Sequence, residues 1–338
     1  MNKEFKHLQA AHCENGVTTN LLRGVGVDKL TEPMVFGIGS GLFYIYIPFL
    51  KINKGPAIAF RTMPGLIFKR TCKSLGIPVI RKKFSSKEAA EKFLDDCVQK
   101  GQPVGCQVGV YYLTYFPKEY RFHFNAHNLI VYGSEGDNYL VSDPVMENVT
   151  SLTRYELERV RFAKGALAPR GQIYYPAVPQ TTITDDQIRN AIKTGIKRNV
   201  RDMLRIPGAI VGVKGIAYTG NKIKTWKDKL GNEKAGLYLA QLVRMQEEIG
   251  TGGGGFRYIY GAFLQQAHAF HPIDELMDVS KKITAAGDLW RTAAVQAAGI
   301  YKGRIGAQAD FDVMGDYLIK IAEIEKEAFT ALSKIKWP

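Results

Sequence analysis

The spacing of apolar residues changes character near residue 180, and this limits the fold more than any other feature of the chain. Before that point, strand-like and helix-like runs alternate. Segments 104–113, 126–132 and 139–142 read as strands, with a turn between the last two from Gly133 to Asn138. Segments 14–24 and 151–161 read as helices. The run Ser85-Ser86-Lys87-Glu88 opens another with a capping-box pattern. Its apolar face is Ala89, Ala90, Phe93, Leu94, Cys97 and Val98, and Gly101 ends it. Residues 176–182 (Pro-Ala-Val-Pro-Gln-Thr-Thr) then read as a linker, and Thr184-Asp185-Asp186-Gln187 caps a new helix. From there the period is helical almost throughout, over about 185–204, 231–249, 256–270, 272–300 and 308–335. The expected architecture is an α+β domain over residues 1–178 followed by an all-α domain over 179–338.

Composition removes several function classes. Apolar residues make up 46% of the chain and charged residues 23%, which are globular values that argue against disorder. The longest apolar stretch, residues 35–50, is interrupted by Gly37, Gly39, Gly41 and Pro48, so no membrane span is expected. The N-terminus carries Lys3, Glu4 and Lys6 and no apolar core of a signal peptide. Cys13, Cys72, Cys97 and Cys106 form no paired motif and read as free thiols in a cytoplasmic protein. The net charge of +14 is spread over both halves, +8 up to residue 178 and +6 after it. Such a surface suits an acidic protein, an anionic membrane surface or a nucleic acid; no nucleic-acid motif is present, so none is expected as a partner. Residues 250–255 read as a flexible joint and lack the Lys-Ser/Thr of a phosphate-binding loop. Gly37-Ile38-Gly39-Ser40-Gly41 lacks the spacing and acidic partner of a dinucleotide site. His123 and His127 lie at a strand, where four-residue spacing does not make a zinc pair, so no metal is expected.

Three residues stand in an order that carries chemistry. Cys13 precedes a helix, where unpaired N–H groups and the helix dipole favour thiolate. His127 opens a β-branched strand, and Asp143 ends the next one across a hairpin. A cysteine nucleophile needs a base within reach and a third group to hold that base, and this order is the one papain-like enzymes use. Each residue also has an ordinary reading: a small core thiol, a structural histidine and an Asp-Pro turn. For the oxyanion, the N–H of Cys13 is one donor and Gln9 the candidate for the second. Gly39 and Ser40, whose backbone can approach a ligand, Tyr44, Asn128 beside the histidine, and Arg257 and Tyr258 after the glycine run are the candidate substrate contacts. Cys72, Cys97 and Cys106 read as structural.

Residues 12–22 (His-Cys-Glu-Asn-Gly-Val-Thr-Thr-Asn-Leu-Leu), residues 33–42 (Pro-Met-Val-Phe-Gly-Ile-Gly-Ser-Gly-Leu) and the stretch from His127 to Asp143 together resemble the butirosin biosynthesis protein BtrH family. The helical half, with Gly255-Phe256-Arg257-Tyr258 and Phe263-Leu264, resembles the domain that follows in that family. Residues 73–162 also resemble the peptidases that process bacteriocin leaders, which share the papain-like core. The resemblance implies a papain-like catalytic domain with a helical domain covering the substrate cleft. It implies an acyltransferase without a bound cofactor, using an acyl-phosphopantetheine thioester as donor. Cys13 would carry the acyl group, His127 would act as base and then acid, and Asp143 would orient it. An acidic acyl carrier protein is the implied partner, steered by Lys69, Arg70 and Lys73 or by Arg81, Lys82 and Lys83. The acceptor is a small molecule, and homo-oligomerisation stays open. A cysteine hydrolase with the same triad and a non-catalytic carrier-protein-binding module are the alternatives.

Overall fold

The computed structural model describes residues 5–52, 55–249 and 251–338. In chain order its main elements are α1 (Cys13–Gly24), α2 (Glu32–Ile38), β1 (Leu42–Ile52), β2 (Gly55–Arg61), α3 (Leu66–Ser74), β3 (Val79–Lys82), α4 (Lys87–Gln99), β4 (Val104–Val108), β5 (His127–Glu135), β6 (Asn138–Ser142), β7 (Thr150–Thr153), α5 (Arg154–Arg161), β8 (Ile173–Pro176), α6 (Asp185–Leu204), α7 (Gly212–Ile223), α8 (Trp226–Val243), α9 (Arg257–Phe270), α10 (Asp274–Tyr301) and α11 (Gln308–Lys334). They form two compact units. The first holds the chain up to Val35 and Ile67–Thr184; the second holds Phe36–Leu66 and Asp185–Pro338.

The first unit is α+β. Its sheet is antiparallel, with strand order β3-β8-β4-β5-β6-β7. Side chains alternate across it. Val104, Cys106 and Val108 of β4 and Leu129 and Val131 of β5 form one apolar cluster with Leu94 and Cys97 of α4 and Leu157 and Val160 of α5. Residues of the opposite parity, Gly105, Asn128, Ile130 and Tyr174, face the other way. Helix α1 packs against β5, β4 and β8. Gly105 is needed there, because a Cβ on it would lie 2.6 Å from the Tyr174 ring.

The second unit combines helices α6–α11 with the β1–β2 hairpin. Residues 36–66, expected in the first domain, therefore belong with the helices, and the second unit is not all-α. The reason lies in the hairpin's bonds. Leu42, Tyr44 and Tyr46 alternate into a buried face. The Tyr44 hydroxyl meets Thr219 Oγ1 of α7 at 2.9 Å, Asn199 Nδ2 of α6 donates to Leu42 O at 2.6 Å, and Tyr46 N donates to Ile210 O at 3.0 Å. At the other end, the 179–184 segment stays with the first unit, where Thr181 N donates to Val25 O.

Local differences have local causes. The expected strand 104–113 stops at Val108, and a 3₁₀ turn takes Val110–Tyr112. The expected helix 151–161 starts three residues late, because Thr153 and Glu156 form the capping box and β7 occupies the residues before it. The N-cap of α4 is Ser86, which accepts from Ala89 N. Helix α8 begins earlier than the spacing implied, at Trp226, kinks at Gly231 (φ 74°) and runs into a π-helical turn at Arg244–Glu248. The glycine run after it is bonded rather than loose among its described residues: Gly253 N donates to Thr251 Oγ1 and Gly254 N to the Glu247 carboxylate. Among the described residues no helix is long and apolar enough to cross a membrane.

Candidate active site

Cys13 is the first residue of α1, in a backbone fixed on both sides. His12, the N-cap, accepts from Asn15 N through Nδ1 at 3.3 Å. The Glu32 carboxylate accepts from Ala11 N at 2.9 Å and His12 N at 2.8 Å. Burial lifts the Glu32 carboxyl above its usual range against the pull of those amides. Buried Glu14 accepts from Ile67 N at 3.0 Å, which ties α1 to the start of α3. The strap before α1 runs along the sheet's end. Phe5 stacks on Tyr132 at 4.7 Å, His7 bonds Ser142 Oγ and Met146 O, and Ala10 N donates to Pro144 O at 2.6 Å. Gly16 lets Pro144 sit against the helix: a Cβ there would lie 2.4 Å from Pro144 Cβ. The turn that carries Asp143 is thereby pressed onto the helix that carries Cys13.

His127, Asp143 and Cys13 meet in this unit. Nε2 of His127 lies 2.6 Å from Asp143 Oδ2. A carboxylate only accepts, so Nε2 carries the proton and Nδ1 is the nitrogen left to bond Cys13. Burial opposes a charged ring, but the charges of Asp143 and Cys13 and the bonds to both outweigh it and raise His127 to about 10. These partners favour the charged form of the ring. Asp143 is fully buried. Its Oδ2 also accepts from the Tyr115 hydroxyl at 2.7 Å, and its Oδ1 from Val145 N at 3.2 Å. Burial first, and then the neighbouring Asp143 charge, push Tyr115 well above its usual value, so it stays a donor. The Phe116 ring meets His127 edge-on at 5.5 Å.

Asn128 completes the set. Its Nδ2 donates to Ala126 O at 3.0 Å and reaches Cys13 Sγ at 3.9 Å; its Oδ1 accepts from the Tyr174 hydroxyl at 2.8 Å. The other thiols sit differently. Burial pushes Cys72 up to about 12, Cys106 up to about 11, and Cys97 upward, so they are held as thiols.

The remaining candidates have other surroundings. Gln9 is exposed in the strap. Gly39, Ser40, Tyr44, Arg257 and Tyr258 all belong to the second unit. There Ser40 Oγ donates to Gly195 O at 3.2 Å, and Tyr44 is fully buried against Thr219 rather than facing a cleft. Arg257 is fully buried in a two-point pair with Glu325, at 2.8 and 2.9 Å, which spends the donors expected for a substrate. The Tyr258 hydroxyl donates to Asp288 at 2.8 Å. Sequence reasoning missed Tyr115, Tyr174, Glu14 and Glu32. Tyr115 and Tyr174 meet partners 28 and 46 residues away, and no local pattern marks such contacts.

Residues 12–144 match the family described as butirosin biosynthesis protein H, N-terminal. Residues 155–332 match a domain of unknown function, DUF4872. No curated protein matches the chain.

Proposed function

The chain belongs to a BtrH-like family, a membership that implies a biosynthetic enzyme of the butirosin-related kind, and from that premise we propose a cysteine-dependent acyltransferase. One observation carries the proposal: the buried Asp143 lies 2.6 Å from Nε2 of His127, which leaves the ring's other nitrogen to meet a thiol at a helix N-terminus. An imidazolium and a helix start both favour thiolate. The placement of a cysteine at the helix, a histidine opening a strand and an acid closing its neighbour supports a papain-like reading of the first unit.

In the proposed reaction, the Cys13 thiolate adds to the carbonyl carbon of an acyl thioester carried by an acyl carrier protein or coenzyme A. The intermediate collapses by breaking the donor's carbon–sulfur bond. The departing thiolate takes the proton from His127, and the acyl group stays on Sγ. An amine or hydroxyl of a small acceptor then attacks and gives its proton to Nδ1 of His127. Cys13 leaves as thiolate, and the starting ion pair is restored. No redox step or bound cofactor is involved. The net charge of +14 supports an acidic carrier protein as donor. The first unit offers exposed Arg81, Lys82 and Lys83 at the β3 edge, and Lys69 and Lys73 on α3. Four unpaired cysteines support a cytoplasmic location.

The test is incubation with acyl carrier protein and coenzyme A thioesters followed by intact mass measurement. The expected result is one acyl adduct, mapped to Cys13 and lost in Cys13→Ala, that an added amine or alcohol discharges. An adduct discharged only by water would make the protein a hydrolase, and carrier protein bound without any adduct would make it a docking module.

A further inference from the structure

An acyl-enzyme passes through a tetrahedral oxyanion, and two donors must face the point where it forms, at ~3 Å. The Cys13 N–H is one, as a first-turn amide without an intrahelical acceptor. We infer that the side-chain amide of Asn128 is the other, and that Tyr174 is the positioning residue that fixes it. This rests on the acyl-enzyme reading but not on the identity of donor or acceptor.

The orientation of the amide is determined by its partners. Ala126 O can only accept, so the Asn128 atom 3.0 Å from it is Nδ2. The Tyr174 hydroxyl then donates to Oδ1, and burial, the largest cause, keeps that hydroxyl protonated. Nδ2 has two hydrogens. One goes to Ala126 O and the other is directed toward Cys13 Sγ at 3.9 Å, at the outer limit for a sulfur acceptor. A carbonyl oxygen bonded through carbon to that sulfur is a better acceptor for the same N–H, and catalytic hydrogen bonds commonly tighten only in the reacting complex. The group is also preorganised. Asn128 is 3% exposed. Tyr174 is fixed by the space at Gly105 and by the Phe68 ring at 4.7 Å. Gln9, the alternative donor, is exposed to water, where a dipole stabilises developing charge less well.

Two probes of the same sulfur separate this role from a structural one. Iodoacetamide alkylates the thiolate by displacement and forms no oxyanion; p-nitrophenyl acetate acylates it through one. Asn128→Ala should slow the acylation burst about 10²–10³-fold and leave alkylation within about threefold. Tyr174→Phe should slow acylation about tenfold, again without changing alkylation, and Gln9→Ala should change neither. Asn128→Ala losing both rates together, keeping both, or being matched by Gln9→Ala would overturn the inference. Retention of the burst in a wild-type protein that never transfers an acyl group would instead remove the transferase reading and leave Asn128 in place.

Discussion

Among the described residues each unit holds a buried ion pair, and the two are built to opposite ends. In the helical unit, Arg257 spends every donor group. Nε and Nη2 meet Glu325, Nη1 meets Gly255 O, and the guanidinium lies over the rings of Phe60 and Trp290. Glu325 also accepts from Trp290 Nε1 at 3.0 Å. In the α+β unit, His127 spends only Nε2 on Asp143 and presents its other nitrogen to a thiol. Burial and charge are common to both, so neither marks a site. What marks it is a polar atom left over after the fold's own bonds are made, facing a group that can react.

The most direct way to break this comparison is Asp143→Asn. It replaces the acceptor of two donors, His127 Nε2 and the Tyr115 hydroxyl, by an amide that turns the ring to the wrong tautomer. The acylation rate of Cys13 should fall about 10⁴-fold, read by p-nitrophenolate release. A fall under tenfold would mean that Asp143 only packs the turn. In the other pair the expected loss is of stability alone. Arg257→Ala leaves Glu325 buried and unpaired, and should cost about 3–5 kcal/mol of stability in urea unfolding. A stable Arg257→Ala protein with weakened acceptor binding would return Arg257 to the substrate contacts.

Titration sharpens the contrast. Burial opposes the His127 charge, but Asp143 and Cys13 prevail, and the ring's value in the fold is about 10 against about 6.5 in an unfolded chain. A raised value means that the folded protein keeps a proton the unfolded one has lost. The contribution to stability is complete below about pH 6.5 and is lost as pH rises toward 10, with a slope of at most about 1.4 kcal/mol per pH unit. Urea unfolding in steps from pH 6.5 to 10 should show a steeper decline in the wild type than in His127→Gln, and equal declines would remove the charged ring from the account.

The parts of the site that could be read from sequence are those whose chemistry depends on position in a local element. Cys13 follows an N-cap, His127 opens a strand, and Asp143 directly follows the partner strand across a turn, so pattern alone brings the last two close. Tyr115 and Tyr174 were not legible, because their roles arise from the return of distant strands. The hairpin was misplaced for a related reason. Alternation in residues 42–46 announces a half-buried strand, but it does not say which helices cover it, and Asn199 and Thr219 decide that from the far half of the chain. Arg257 was misread because sequence shows a charge and not the Glu325 that consumes it.

The smallest effect separates thiols rather than ion pairs. Cys97 lies on the apolar face of α4, 5% exposed, with its Sγ 3.9 Å from the Tyr175 hydroxyl, and burial raises it. It is the sulfur counterpart of Arg257, a reactive type whose surroundings are already complete. Cys97→Ala removes one sulfur from a packed cluster and should cost about 1 kcal/mol in urea unfolding. It should leave iodoacetamide labelling and acylation of Cys13 unchanged. Cys13 is almost as buried, at 7%, yet Cys13→Ala should abolish both reactions. Exposure therefore does not separate the two sulfurs; the imidazolium beside Cys13 does. If Cys97→Ala lowered the acylation burst by more than threefold while the fold stayed intact, that distinction would fail.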